Sequence, residues 1–245
     1  MRIALFLLTA VLSGSCGPRW QPQKPEHKEE SPPQSIQIFY PETKGRFPAI
    51  LLMPPAAHSI SAETSIARKF AAEGYVAGIV DYGNVKFSGI FNDAAKMNSM
   101  KQLASQSLAS LKAQPRVDPD RVGIIGYSFG GFFVTYLASK PDETGLRAGV
   151  IYYGTYDVPE AIKNLRIPIL AFQGEADQMK EFVHNALAMK QVAMDHQKIF
   201  ELVLYPRALH GFDRFPSDPY KQAIARNSWD NTITFLNRCL KKAGA

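Results

Sequence analysis

Cysteine is almost absent from this chain, with Cys16 and Cys239 the only two in 245 residues. That leaves no disulfide framework, and no Cys and His cluster has metal-ligand spacing, so neither a metal nor another cofactor is implied. Histidine is scarce as well, five in all, so imidazole chemistry must fall to one of very few positions. No apolar run reaches the roughly 18 residues that a membrane-spanning helix needs. The formal charge of +6 is carried by lysines and arginines scattered along the chain rather than gathered in a stripe, which argues against nucleic acid as a partner.

What is present begins with a leader. Arg2, an apolar run over 3–12 and the small residues Ser13, Gly14 and Ser15 read as a secretory signal at 1–15. Cys16 follows directly, which resembles the lipobox of bacterial lipoproteins, with Leu12 one position earlier than the common pattern places its leucine. The resemblance implies a diacylglycerol on the Cys16 thiol and an exported, membrane-anchored protein facing the periplasm. The other reading is an ordinary signal peptide with a spare thiol. Residues 16–35 carry Pro18, Pro22, Pro25, Pro32 and Pro33 among Gln, Lys and Glu, too little apolar matter for a core and suited to an extended tether of up to about 60 Å. Nothing in the sequence bears on oligomeric state.

From residue 36 onward the pattern changes. With 46% hydrophobic and 20% charged positions, residues 36–245 suffice for one core and one domain. Apolar, β-rich runs at 36–40, 49–53, 75–80, 122–126, 148–153, 167–172 and 200–205 alternate with helical periodicity near 61–73, 93–113, 129–139, 178–195 and 218–241. This is the signature of an α/β fold: a mostly parallel central sheet with helices on both faces. In the second helix Met97, Met100, Leu103, Leu108 and Leu111 recur at helical spacing and read as core packing.

A serine hydroxyl is a poor nucleophile at neutral pH unless an imidazole takes its proton and a carboxylate orients that imidazole. Gly126-Tyr127-Ser128-Phe129-Gly130 matches G-x-S-x-G between an apolar strand and a helix, the context in which this short pattern is informative. Flanking glycines suit a tight strand-to-helix turn that has no room for side chains. A bare structural turn is the competing reading.

The run 117–131, Val-Asp-Pro-Asp-Arg-Val-Gly-Ile-Ile-Gly-Tyr-Ser-Phe-Gly-Gly, resembles the dienelactone hydrolase family of α/β-hydrolases. So do Phe70-Ala71-Ala72-Glu73-Gly74-Tyr75, Asp81-Tyr82, Gly174-Glu175-Ala176-Asp177 and His210-Gly211-Phe212. The resemblance implies the α/β-hydrolase fold, Ser128 as nucleophile, Asp177 as triad acid and His210 as base. The order Ser, Asp, His with each residue after a predicted strand agrees. His27 lies in the tether, His184 and His196 lie in or beside a helix, and His58 follows a strand and can approach the pocket. Asp157, one strand earlier, is the rival acid.

An oxyanion needs backbone donors, of which the Phe129 amide is the first. Pro54 and Pro55 have no N–H, so the second falls to Ala56, with Ala57 as fallback. Dienelactone hydrolases proper use cysteine. Ser128, with Met53-Pro54-Pro55 where those enzymes place a glutamate, points to a serine esterase acting on a small-molecule ester. Peptidase, thioesterase and acyltransferase readings use the same residues, and a non-catalytic lipid-anchored binding protein is the alternative from another class. Tyr82 and Tyr127 are candidate pocket residues, together with Phe129 and Phe132; core packing is the other reading for all four. Arg214 is a candidate anion contact, with Arg207 nearer but ahead of the loop; a solvated surface cation is the plain alternative for both arginines. Too few residues separate 153 from 167 for a large lid domain, while 83–91 suits a small flap.

Overall fold

Alternation of buried side chains along each strand sets the layers. The computed structural model describes residues 36–56, 60–154, 159–214 and 217–241. The leader, Cys16, the tether, His27, Ala57, His58 and Asp157 lie outside the described residues. In chain order the strands are β1 (Ile36–Phe39), β2 (Phe47–Met53), β3 (Val76–Val80), β4 (Val117–Tyr127), β5 (Leu146–Tyr152), β6 (Ile169–Gly174) and β7 (Phe200–Tyr205). They form one sheet in the order β1-β3-β2-β4-β5-β6-β7. Only β1 is antiparallel, pairing with β3 at the edge; the other neighbours are parallel.

Parallel strands need crossovers, which the helices supply. They are α1 (Ile60–Ala72), α2 (Ala94–Lys112), α3 (Gly130–Ala138), α4 (Pro141–Thr144), α5 (Pro159–Lys163), α6 (Lys180–Asp195) and α7 (Pro219–Leu240). Asp93 caps α2 by accepting from the Lys96 amide, and Asp218 caps α7 through the Lys221 amide with Pro219 in the first turn, both common helix starts. Two apolar clusters cover the two faces of the sheet. Ala49, Leu51 and Met53 of β2 join Met97, Met100, Leu108 and Leu111 of α2 and residues of α3 and α6. Ile50 and Leu52 join Phe70 of α1 and Phe235, Leu236 and Leu240 of α7. The methionines and leucines of α2 are therefore packing residues. Leu103 is only partly buried, and Ala104 and Ser107 complete the face.

The seven expected strands are present, with shifted ends. The largest shift is in β4, which starts at Val117. Its ladder to β2 runs from Phe47 opposite Val117 to Ala49 opposite Val122, so the extra residues of Asp118-Pro119-Asp120-Arg121 are taken up by an irregularity. Two short helices, α4 and α5, and a 3-10 turn at Ile90–Asn92 have no counterpart in the sequence pattern. No helix among the described residues is long and apolar enough to cross a membrane.

The consequence for function lies in the sheet order. All the parallel strands end on one edge, and Ser128 follows the central strand β4. Loops after β2 and β3 lie to one side of it, and those after β6 and β7 to the other, the usual setting for a site in such sheets.

Candidate active site

Ser128 sits at the tip of the β4 to α3 turn with φ 50°, a left-handed conformation that L-residues adopt only when their surroundings hold them there. Here its amide donates to the Tyr152 carbonyl at 3.0 Å, and its own carbonyl accepts from Gly131 at 2.9 Å. The space around the turn explains the glycines. A Cβ on Gly126 would collide with the Gly130 carbonyl oxygen, and one on Gly130 with the Met53 carbonyl oxygen, 2.7 Å from the Met53 carbon.

Asp177 follows β6 and is fully buried. Its Oδ1 accepts from the Met179 amide at 2.9 Å, and its Oδ2 accepts from Gln173 Nε2 at 2.9 Å and stands 2.9 Å from His210 Nδ1. Backbone bonds tie the acid loop to the histidine loop, from Glu175 N to Tyr205 O at 3.0 Å and from Ala176 N to Ala208 O at 3.1 Å. His210 Nε2 lies 2.9 Å from Ser128 Oγ. Burial works to raise the Asp177 pKa, but the His210 hydrogen bond, the Met179 amide, the imidazole and Gln173 outweigh it and hold the carboxyl below its ordinary value. An ionised carboxylate only accepts, so Nδ1 carries the proton and Nε2 of the neutral ring is left to accept from the serine hydroxyl.

These three side chains, from loops after strands four, six and seven, thus meet in one hydrogen-bonded line. The sequence profile of the dienelactone hydrolase family matches residues 37–240. The chain belongs to that family. A protein of Bradyrhizobium sp named a probable 2-oxo-3-(5-oxofuran-2-ylidene)propanoate lactonase is 27% identical over 221 residues, covering 80% of this chain and 86% of that protein. A human carboxymethylenebutenolidase homolog is 29% identical over 158 residues, 61% of this chain and 62% of its own length. Among solved structures, a dienelactone hydrolase-like promiscuous phosphotriesterase from metagenomic libraries superposes with a TM-score of 0.68 at 21% identity. It covers 82% of this chain and 92% of that one. The α/β-hydrolase fold and membership of a hydrolase family follow; this dienelactone hydrolase family member is an α/β-hydrolase enzyme.

The three candidate pocket residues Tyr82, Tyr127 and Arg214 are largely buried. Tyr82 is 3% exposed and its hydroxyl donates to the Pro54 carbonyl at 3.0 Å, so it braces the loop after β2. Tyr127 is 2% exposed and stacks on Tyr152, with ring centroids 4.9 Å apart, in the cluster under α1 and α7. It has the parity of Ile125 along β4, which turns it away from the hydroxyl of its neighbour Ser128. Arg214 is not a solvated surface cation, its side chain being 11% exposed. Its Nη1 pairs with Glu63 Oε1 at 2.7 Å, its Nε donates to the Tyr153 hydroxyl at 3.1 Å, and its guanidinium lies 4.1 Å from the Tyr127 ring centroid. Arg207 is exposed beside Tyr220, and His184 and His196 are exposed.

The Arg214 cluster supports the imidazole from behind. Tyr153 donates to Asp213 at 2.6 Å while its ring stands edge-on to His210, centroids 4.8 Å apart. Burial pushes the Asp213 carboxyl up, against the pull of Arg214 and the Tyr153 hydroxyl. Glu63, only 1% exposed in the first turn of α1, carries no signal in the sequence, because its partner lies 151 residues away. Breaking a buried pair strands the remaining charge. Arg214→Met is therefore expected to lose about 3 kcal/mol in urea denaturation, and Glu63→Met with Arg214→Met together to recover part of it. A single variant as stable as wild type would show that the pair is not a brace.

Proposed function

We propose that this enzyme hydrolyses carboxylic esters, lactones included, through an acyl-enzyme on Ser128. The observation that carries the reading is the line from Ser128 Oγ to His210 Nε2 and from His210 Nδ1 to Asp177 Oδ2, each step 2.9 Å, within reach for proton transfer. The names of the lactonase and butenolidase relatives agree with it in reaction type.

In this mechanism Ser128 Oγ attacks the ester carbonyl carbon as its proton passes to His210 Nε2. The imidazolium is stabilised by the Asp177 carboxylate. The oxyanion is held by the Phe129 amide and by Ala56, whose N–H is the first available after Met53 because Pro54 and Pro55 have none. Tyr82 secures that loop at Pro54, and its approach to Gly130 sets it beside the nucleophile turn. Collapse of the intermediate breaks the bond to the alcohol, which leaves with the proton from His210. Water then repeats the attack, His210 again acting as base, and the carboxylic acid departs with Ser128 restored.

Rapid mixing with 4-nitrophenyl acetate tests this. The expected result is a burst of one nitrophenol per enzyme molecule and a transient mass increase of one acetyl group on the peptide containing Ser128. Turnover with the acyl group on another residue, or no turnover together with no labelling of Ser128 by a fluorophosphonate, would overturn the reading.

A further inference from the structure

Six large apolar side chains of the described residues are substantially exposed, and three of them lie on the segments after β3, β6 and β7 that adjoin the site loops. Phe91, 53% exposed, follows β3 in the flap segment and lies edge-on to Phe129 at 5.6 Å and to Phe132 at 6.0 Å between centroids. Phe129 is the residue directly after Ser128. Leu209, 48% exposed, directly precedes His210, and Met179, 40% exposed, gives its amide to Asp177. Phe182 completes that side, 5.5 Å from the His210 ring.

Sheet order separates these residues into two groups. The flap follows β3, while Met179 and Phe182 follow β6, the latter in the first turn of α6, and Leu209 follows β7, with the β4 turn between them. Burying such side chains against a ligand is favourable by the hydrophobic effect, and a solvated apolar rim beside a nucleophile has that use open to it. Of the two arginines between β7 and α7, Arg214 is buried against Glu63, Tyr153 and the Tyr127 ring, and Arg207 is exposed beside Tyr220. The internal segments outside the described residues contain no lysine or arginine.

Resting on the ester-hydrolase reading, we propose that the substrate is a neutral ester with apolar groups on both sides of the scissile bond. One group lies against Phe91, the other against Leu209, Met179 and Phe182. Phe91 and Leu209 then set specificity. The chain departs in this from a relative named for a propanoate lactone. Lys86 and Lys180 are exposed on the same two segments, so a charged substrate provides the direct contrast.

The test measures kcat/KM of the full chain for 4-nitrophenyl acetate, heptanoate and hydrogen adipate, and for methyl against 1-naphthyl acetate. Heptanoate is expected to exceed the adipate hemiester, which has similar length and one negative charge, by roughly tenfold or more. Phe91→Ala is expected to lower one of the two ratios, heptanoate to acetate or naphthyl to methyl, by roughly tenfold, and Leu209→Ser to lower the other. A preference for the adipate hemiester, or ratios unmoved by both substitutions, would overturn the proposal while leaving ester hydrolysis intact. Failure to cleave any ester, with Ser128 unlabelled by the fluorophosphonate, would overturn the hydrolase reading and this inference with it.

Discussion

Ser128→Ala is expected to reduce kcat for aryl esters by about 10⁴-fold or more, and His210→Ala by a similar factor. In the proposed mechanism the two residues act as one unit, since Nε2 lies 2.9 Å from the Oγ whose proton it would accept. The double variant should therefore be no slower than either single one, which steady-state rates on active-site-titrated enzyme would show. Asp177→Asn belongs to the same series with a loss of about 10³ to 10⁴-fold, because an amide can donate to Nδ1 and so favours the wrong imidazole tautomer. Circular dichroism of each variant guards against loss of fold. A Ser128→Ala enzyme that keeps a tenth of its kcat would remove the nucleophile from the proposed mechanism.

Gly130→Ala is expected to be strongly destabilising, costing about 4 kcal/mol or more against a typical total of about 5–15 kcal/mol. The added Cβ would meet the Met53 carbonyl group and lie 2.9 Å from the Pro54 carbonyl oxygen. All of these are backbone atoms, with no flexible side chain to yield. Relief requires the end of β2 to move, which disturbs the ladder that sets Met53 opposite Gly126 and Leu52 opposite Ile125. Gly83→Ala is the informative control. Gly83 has φ 59°, but a methyl added there would have nothing within 4 Å, so only the left-handed conformation opposes the change, at about 1–2 kcal/mol. Urea midpoints of the two variants separate the effects. If Gly130→Ala were as mild as Gly83→Ala, the close approach of the two turns would be wrong.

The readable part of this protein is the part written locally. Continuous apolar runs such as Ala49 to Met53 identify strands buried on both faces, and a serine between two glycines after such a run identifies a sharp turn. The order of Ser128, Asp177 and His210 along the chain also suffices to bring them together, because each ends a parallel strand at the same edge. Short elements escape. The four residues of α4 and five of α5 are too few to display a helical period. The start of β4 escapes because Asp118-Pro119-Asp120 has the composition of a turn, although its flanks pair with β2.

Arg214 is misread from the sequence for a different reason. A cation four residues after His210 has no local partner that would predict burial, and Glu63 enters only when α1 packs beside the histidine loop. The burial of Tyr127 is legible locally: the alternation that puts Ile125 under α7 puts Tyr127 there too.

That alternation divides the nucleophile turn between two separate neighbourhoods. The side chain before the serine is packed among Tyr152, Tyr153 and Arg214, whereas the side chain after it is packed among Tyr82, Phe87 and Phe133. Residues in separate contact sets vary in a nearly additive way. A directed-evolution campaign can therefore diversify the two positions in separate libraries and merge the winners.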